Sequence, residues 1–206
     1  MKSRIVLIRH GITEGNEMRM YYGSTDVSLS ERGKKLLEEQ KAQGVYPLPE
    51  EAQYVTTGML RTEQTLAIIY GEKQHDVIED LRELDFGEFE MRTYEELNSI
   101  PAYQRWITAE DLDTAPPGGE SINEFAKRVR RGFDELKVRN ELYMLKLRNH
   151  RKEATTICIC HGGVISGIMD YIWPGEHKNF FEWIPDPGHG YILEVEDGSF
   201  TGYSKF

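Results

Sequence analysis

The chain has two cysteines in 206 residues, Cys158 and Cys160, too few for a disulfide framework. In "TTICIC" they alternate with isoleucine along a predicted strand and point to one face, which reads as two reduced, small apolar residues. A vicinal redox or metal pair is the other reading, and the spacing, which is not C-x-x-C, speaks against it. Long apolar runs are missing as well. Nothing approaches the roughly 20 residues of a membrane-spanning helix. The apolar stretch within "MKSRIVLIRHG" is too short for a secretory signal, so the cytoplasm is the expected compartment and no membrane partner is expected. Basic residues are in deficit: 25 Lys and Arg stand against 35 Asp and Glu, for a formal net charge of -10. That field makes nucleic acid a poor partner and obliges a small anionic ligand to find a locally basic pocket.

What is present, 39% hydrophobic and 29% charged residues, suits a globular protein, and 206 residues suit one domain with a single sizeable core. "IVLI" (5–8) lacks polar alternation, as expected of a strand covered on both faces in a parallel or mixed sheet between helices. "TEGNEM" follows as a short helical start capped by Thr13, and Ser30 can cap a helix through "ERGKKLLEEQKAQ" that ends at Gly44. "AQYVTT" predicts a second strand, "MLRTEQTLAIIY" a helix stopped by Gly71, and "HDVIED" a weaker third strand. Residues 84–120 mix short helical pieces with Pro and Gly clusters, an excursion that reads as a lid-like insertion. From Ser121 the positions Ile122, Phe125, Val129, Phe133 and Leu136 recur at helical spacing. "EATTICICHGG" repeats the opening design of strand, histidine and glycine, and the chain closes on a hairpin turning at Asp197 and Gly198. The expectation is an α/β fold, a three-layer α/β/α sandwich with a mostly parallel central sheet, in one domain over 1–206.

Two separate strands thus deliver His-Gly to their carboxyl ends, where open α/β sheets bind ligands. A histidine there can attack, shuttle a proton or bind a metal. Arg9 beside His10 offers a permanently charged planar fork, which favours phosphate or carboxylate and disfavours a metal cation. Arg61, early in its helix, is placed to face the same crevice.

These stretches resemble the histidine phosphatase superfamily, with its phosphoglycerate mutase-like fold. Its R-H-G signature reads "LIRHGITEGN" here. "YYGSTDVSLSERG", "TTGMLRTEQT", "LRELDFGEFE", "APPGGES" and "CHGGVI" match its later landmarks in order, across nearly the whole chain. The resemblance implies that His10 accepts the phosphoryl group, that Arg9, Arg61 and His161 hold its oxygens with Gly162 beside them, and that Glu83 protonates the leaving oxygen. It implies no metal and no cofactor. His10 has to be neutral and His161 is most useful as a cation, so their surroundings should separate them. Asn16 either donates to a phosphate oxygen or orders its turn. The implied partner is a small phosphorylated metabolite: a sugar phosphate, a phosphoglycerate-like acid or α-ribazole phosphate. Dimers are common among relatives, which leaves a homodimer open.

The chain departs from the family pattern at several places. Thr56 and Thr57 replace serines, Gly58 a proline, Thr62 an alanine and Met91 a glycine, the last placing a bulky side chain near the expected pocket mouth. A phosphomonoesterase is the leading expectation. The main alternative is phosphoglycerate mutase-type transfer, against which stands the lack of the mutases' longer E-R-x-Y-G-x-L-x-G-L-N-K segment. A metal hydrolase on His10, Glu83 and His161 and a catalytically silent phosphate-binding module rank lower. His189 reads as structural rather than substrate-facing. His75, His150 and His177 read as surface residues without supporting neighbours. The basic stretch 127–152 reads mostly as a solvated helix face, and Phe180, Phe181 and Trp183 as a cap on either core or pocket.

Overall fold

Residues 2–147 and 153–206 are described by the computed structural model. In chain order the elements are β1 (Lys2–Arg9), α1 (Glu14–Glu17), β2 (Met20–Tyr21), α2 (Glu31–Ala42), β3 (Ala52–Thr56), α3 (Leu60–Tyr70), β4 (Asp76–Val77), β5 (Arg92–Thr93), α4 (Tyr94–Leu97), α5 (Pro101–Ile107), α6 (Ile122–Leu147), β6 (Ala154–Cys160), α7 (Gly162–Ile172), β7 (Gly190–Glu196) and β8 (Ser199–Lys205).

The unbroken apolar run of β1 is explained by its place inside a six-stranded sheet ordered β4-β3-β6-β1-β7-β8. Strands β4, β3, β6 and β1 run parallel, and β7 and β8 are antiparallel additions. Alternate residues divide between the faces. Ile5 and Leu7 join Cys158 and Cys160 under α6 and α7, while Val6 and Ile8 join Ile157 and Ile159 under α2 and α3. Both cysteines are buried and free. Each fully buried aliphatic side chain stabilises the sandwich by about 1.5–3 kcal/mol, and a one-residue slip would swap every side chain to the wrong layer. The register is therefore well specified, and it pairs Arg9 with Cys160. His10 and His161, the next residues, leave the sheet side by side.

Thr13 and Ser30 cap α1 and α2 through their side chains, and Asp197 and Gly198, both with positive φ, make the β7–β8 turn. The excursion after Leu84 carries α4, α5 and β5, which pairs with β2. Its own small core is Phe89, Leu97 and Tyr103, with Tyr21, Phe86 and Trp106 packed against them. No helix among the described residues is long and apolar enough to cross a membrane.

Two expectations change. Gly58 has φ +72°, a conformation closed to the proline it replaces, so this departure alters the local backbone. His75 and His177 do have neighbours, Glu63 at 2.8 Å and Glu182 at 3.1 Å. The basic residues of α6 form the expected solvated face for the most part: Lys127, Arg130, Arg131 and Lys146 are exposed, Arg130 lying over the Tyr171 ring and Arg131, Lys137 and Arg139 pairing with Asp80, Asp134 and Asp76. Arg148, His150, Arg151 and Lys152 lie outside the described residues. Trp183 is buried in the main core and Phe180 and Phe181 are exposed, so the aromatic group caps the core.

Candidate active site

The carboxyl ends of β1 and β6 meet in a cavity of about 170 Å³. Arg9, His10, Asn16, Arg61, Glu83 and Gly162 line it on the polar side. Met20, Tyr21, Tyr22 and Phe86 line it from β2, its flank and the excursion.

His10 is almost fully buried, and its Nδ1–H donates to the Gly11 carbonyl at 2.7 Å. That bond fixes the tautomer and leaves the Nε2 lone pair without a protein partner. Burial holds the imidazole well below its ordinary pKa, and the Arg61 and Arg9 cations push the same way. An uncharged ring with a free nitrogen in a cationic surround has the electronic state of a nucleophile.

Arg61 is completely buried and its fork is fully directed. One terminal nitrogen donates to the Gly23 carbonyl at 2.7 Å, the other to the Thr25 carbonyl at 3.0 Å, and Nε donates to His161 Nδ1 at 3.3 Å. Arg9 donates one terminal N–H to the Pro185 carbonyl at 2.9 Å, and its buried Nε has no protein acceptor. For both arginines burial lowers the pKa, opposed by nearby Glu83 and Tyr22. A guanidinium remains charged under such a shift, and two of them make the cavity hospitable to an anion. Among the described residues no group of three or more His, Cys, Asp or Glu side chains is placed to hold a metal.

His161 corrects an expectation. It stands beside His10, ring centroids 5.2 Å apart, yet it is wholly buried behind the cavity lining. Its Nδ1 accepts from Arg61, so its Nε2–H donates to Thr57 Oγ1 at 2.9 Å. Thr57 in turn faces Thr62 Oγ1 at 3.3 Å, and the Thr62 hydroxyl donates to the Met59 carbonyl. This hydrogen-bond chain accommodates the uncharged form of His161. Burial, then Arg61, lowers its pKa well below the ordinary value, as for His10. The surroundings shift both histidines in the same direction.

Glu83 is held at the rim by two backbone amides, Gly163 N–H at 2.9 Å and Leu84 N–H at 3.0 Å. A side chain at Gly163 would collide with this carboxylate, its Cβ coming within 2.5 Å of Oε1. Asn16 orders its turn, one of the two roles expected of it. Its Oδ1 accepts from the Thr13 amide and hydroxyl, closing the cap of α1, while the residue also lines the cavity. Gly162, first residue of α7, brings a helix N-terminus to the site, where anions are favoured. His189 is structural: its carbonyl accepts the Arg9 N–H, and its ring accepts from Gln40 Nε2 at 2.9 Å.

Three residues outside the expected set organise this geometry. The Glu90 carboxylate accepts the amides of Gly23, Ser24, Thr25 and Phe86 at 2.9–3.1 Å, fixing the loop whose carbonyls hold Arg61. That loop passes so close to Leu84 that a Cβ on Gly23 would fall 1.7 Å from its carbonyl oxygen. Arg128 pairs with Glu120 and donates to the carbonyls of Asp80, Arg82 and Glu83, anchoring the segment that carries Glu83. It is not part of a solvated face. Thr57, read from sequence only as a replaced serine, orients His161. Met91 has φ +59° and is absent from the cavity lining, so its cost falls on the backbone rather than on the pocket mouth.

A strand-end pair of histidines, two inward arginines and a rim glutamate thus stand together where the resemblance places them. The chain belongs to the histidine phosphatase superfamily (branch 1), whose pattern it matches over residues 5–203. It is 30% identical over 179 residues to a 2,3-bisphosphoglycerate-dependent phosphoglycerate mutase of Xanthobacter autotrophicus, covering 82% of this chain and 81% of that one. It is 32% identical over 146 residues to a bifunctional protein of Mycobacterium tuberculosis, a match covering 66% of this chain and 38% of the mycobacterial protein's length. In fold it is similar to the alpha-ribazole phosphatase of Shigella flexneri, with a TM-score of 0.73 at 22% identity over 96% of this chain and 93% of that one.

Proposed function

We propose that the protein is a metal-independent phosphomonoesterase that acts on a small phosphorylated metabolite through a phosphohistidine at His10. The observation that carries this reading is the free Nε2 of a neutral, buried His10 in a cavity lined by Arg9 and Arg61. In the first step Nε2 attacks phosphorus and the P–O ester bond breaks, its electron pair leaving with the alcohol oxygen. Glu83 gives that oxygen a proton. The Nδ1–H bond to Gly11 supports the positive charge that develops on the ring. Arg9 and Arg61 receive the equatorial oxygens, with Asn16 and the Gly162 amide beside them. His161 acts from behind, holding Arg61 and packing on His10. In the second step water gives a proton to Glu83 and attacks phosphorus, the P–N bond breaks and phosphate departs. Residues 84–120 serve as the lid-like part of one domain.

The test is hydrolysis of an aryl phosphate in excess chelator. His10→Ala is expected to lose at least about a thousandfold in kcat, and rapid acid quench of wild type should trap an acid-labile phosphoryl group on His10. Undiminished turnover in the mutant overturns the assignment. The mutase relative supports a second reading, phosphoryl transfer between hydroxyls of phosphoglycerate. Efficient interconversion of 3-phosphoglycerate and 2-phosphoglycerate would establish it.

A further inference from the structure

We propose that the substrate's alcohol portion is uncharged and presents a flat apolar face, and that the site rejects esters bearing a second anionic group. This rests on the phosphomonoesterase reading and specifies its substrate class.

The charge inventory of the cavity is short. Arg9 and Arg61 are the cations in its lining, and both stand at the phosphoryl end. Their remaining N–H groups suffice for one phosphate, because Arg61 already gives three bonds to protein and Arg9 one. The other side offers a second anion no cation. The Tyr21 hydroxyl is bound to that of Tyr103 at 2.7 Å, and the Tyr22 hydroxyl to Thr13 Oγ1 at 2.6 Å. Met20 and Phe86 have none. A carboxylate or second phosphate placed there would give up water without gaining a cation and would face Glu83 across the rim.

The same side is prearranged for a ring. Tyr21, Phe86 and Trp106 pack edge to face, with centroids 5.4, 5.9 and 6.0 Å apart, and Tyr103 and Phe89 back them. Rings locked this way lose little freedom when a ligand ring stacks on them. A cavity of about 150 Å³ takes up one benzene-sized group, so 170 Å³ holds the phosphoryl group and leaves the ring at the mouth, against the aromatic side.

The experiment compares benzyl phosphate with 3-phosphoglycerate. Both release an alkyl alcohol, so leaving-group acidity does not decide the outcome. We expect kcat/KM for benzyl phosphate to be at least about tenfold higher, and Met20→Lys to move that ratio toward 3-phosphoglycerate by a similar factor. In parallel, calorimetry compares benzylphosphonate with 3-phosphonopropionate, neither of which can be hydrolysed; the former is expected to bind at least about tenfold tighter. Turnover of both esters with a ratio below tenfold, or a phosphonate preference below tenfold, overturns the substrate class and leaves the phosphohistidine reading standing. Absence of turnover and of label on His10 overturns that reading, and the phosphonate comparison still decides the substrate class.

Discussion

The two sides of the cavity are built by different means. The polar side hangs from the central sheet: register sets His10 beside His161, and main-chain carbonyls hold the arginines. The apolar side comes from β2 and the 84–120 excursion, whose elements are short and whose strand pairing spans two residues. Phosphate handling is therefore tied to the part of the fold that cannot shift without unpacking the core. On the proposed reading, recognition of the alcohol falls to a separate aromatic cluster that can vary at little cost to the sheet. Glu90 joins them, since one carboxylate binds Gly23, Ser24 and Thr25 on one side and Phe86 on the other.

The largest effect should come from the polar side. Arg61→Lys keeps the charge and loses the fork that reaches Gly23, Thr25 and His161 together. A fall in kcat/KM of about 10²–10³ is expected for every ester tested, whatever its alcohol. Steady-state kinetics alongside circular dichroism check it. A loss confined to one ester would show that the two sides are not separable as described.

Glu90→Gln probes the joint. The amide puts donors against backbone donors, the Gly23–Thr25 loop shifts, and the Arg61 fork moves with it. We expect kcat/KM to fall by about 10- to 100-fold for benzyl phosphate and 3-phosphoglycerate alike. Binding of inorganic phosphate should weaken in parallel, and Glu90→Asp should restore part of the loss. A change in benzyl phosphate KM alone would place Glu90 with the aromatic wall.

Stability should depend on pH through the buried histidines. In the folded protein both have pKa values well below 6.5, so below about 6.5 the unfolded chain binds protons that the folded one refuses. Stability from this source is fully present above the unfolded pKa and is lost as pH falls below it. Tm by calorimetry should drop between pH 7.5 and 5.5, and the slope should be shallower in His161→Gln. Equal slopes in the two proteins would mean that His161 is not held neutral.

Much of the polar side was legible in the sequence, because it follows from local pattern. A strand ending in His-Gly appears twice, and an apolar run without alternation places both strands inside the sheet. Arg61 and Glu83 were visible through family motifs, since neither has a local signature of its own. Glu90, Arg128 and Thr57 were not legible as organising residues. Their partners lie 65, 45 and 104 positions away for the bonds Glu90 to Thr25, Arg128 to Glu83 and Thr57 to His161, and only the folded chain makes those contacts. The surroundings of His161, with Arg61 on one nitrogen and a threonine chain on the other, were hidden for the same reason. The excursion was readable as irregular and lid-like, but its aromatic packing was not, because short elements take their shape from tertiary contacts.

The smallest effect expected is at Met91, and it tests how independent the wall is. Its φ of +59° is left-handed backbone, which costs a non-glycine residue roughly 1–2 kcal/mol. Glycine removes that cost but loses roughly 0.5–1 kcal/mol through the greater freedom of its unfolded chain. Met91→Gly should therefore stabilise the protein by about 0.5 kcal/mol, a rise in Tm of about 1–2 °C for a chain this long. The Met91 N–H bond to the Tyr21 carbonyl at 2.7 Å is a backbone contact and survives the change. Since the side chain is partly exposed and does not line the cavity, the ratio of benzyl phosphate to 3-phosphoglycerate turnover should not move. A changed ratio would mean that Tyr21 is held in place by the methionine side chain as well as by Tyr103 and Trp106, and the wall would then be less rigid than its ring contacts imply.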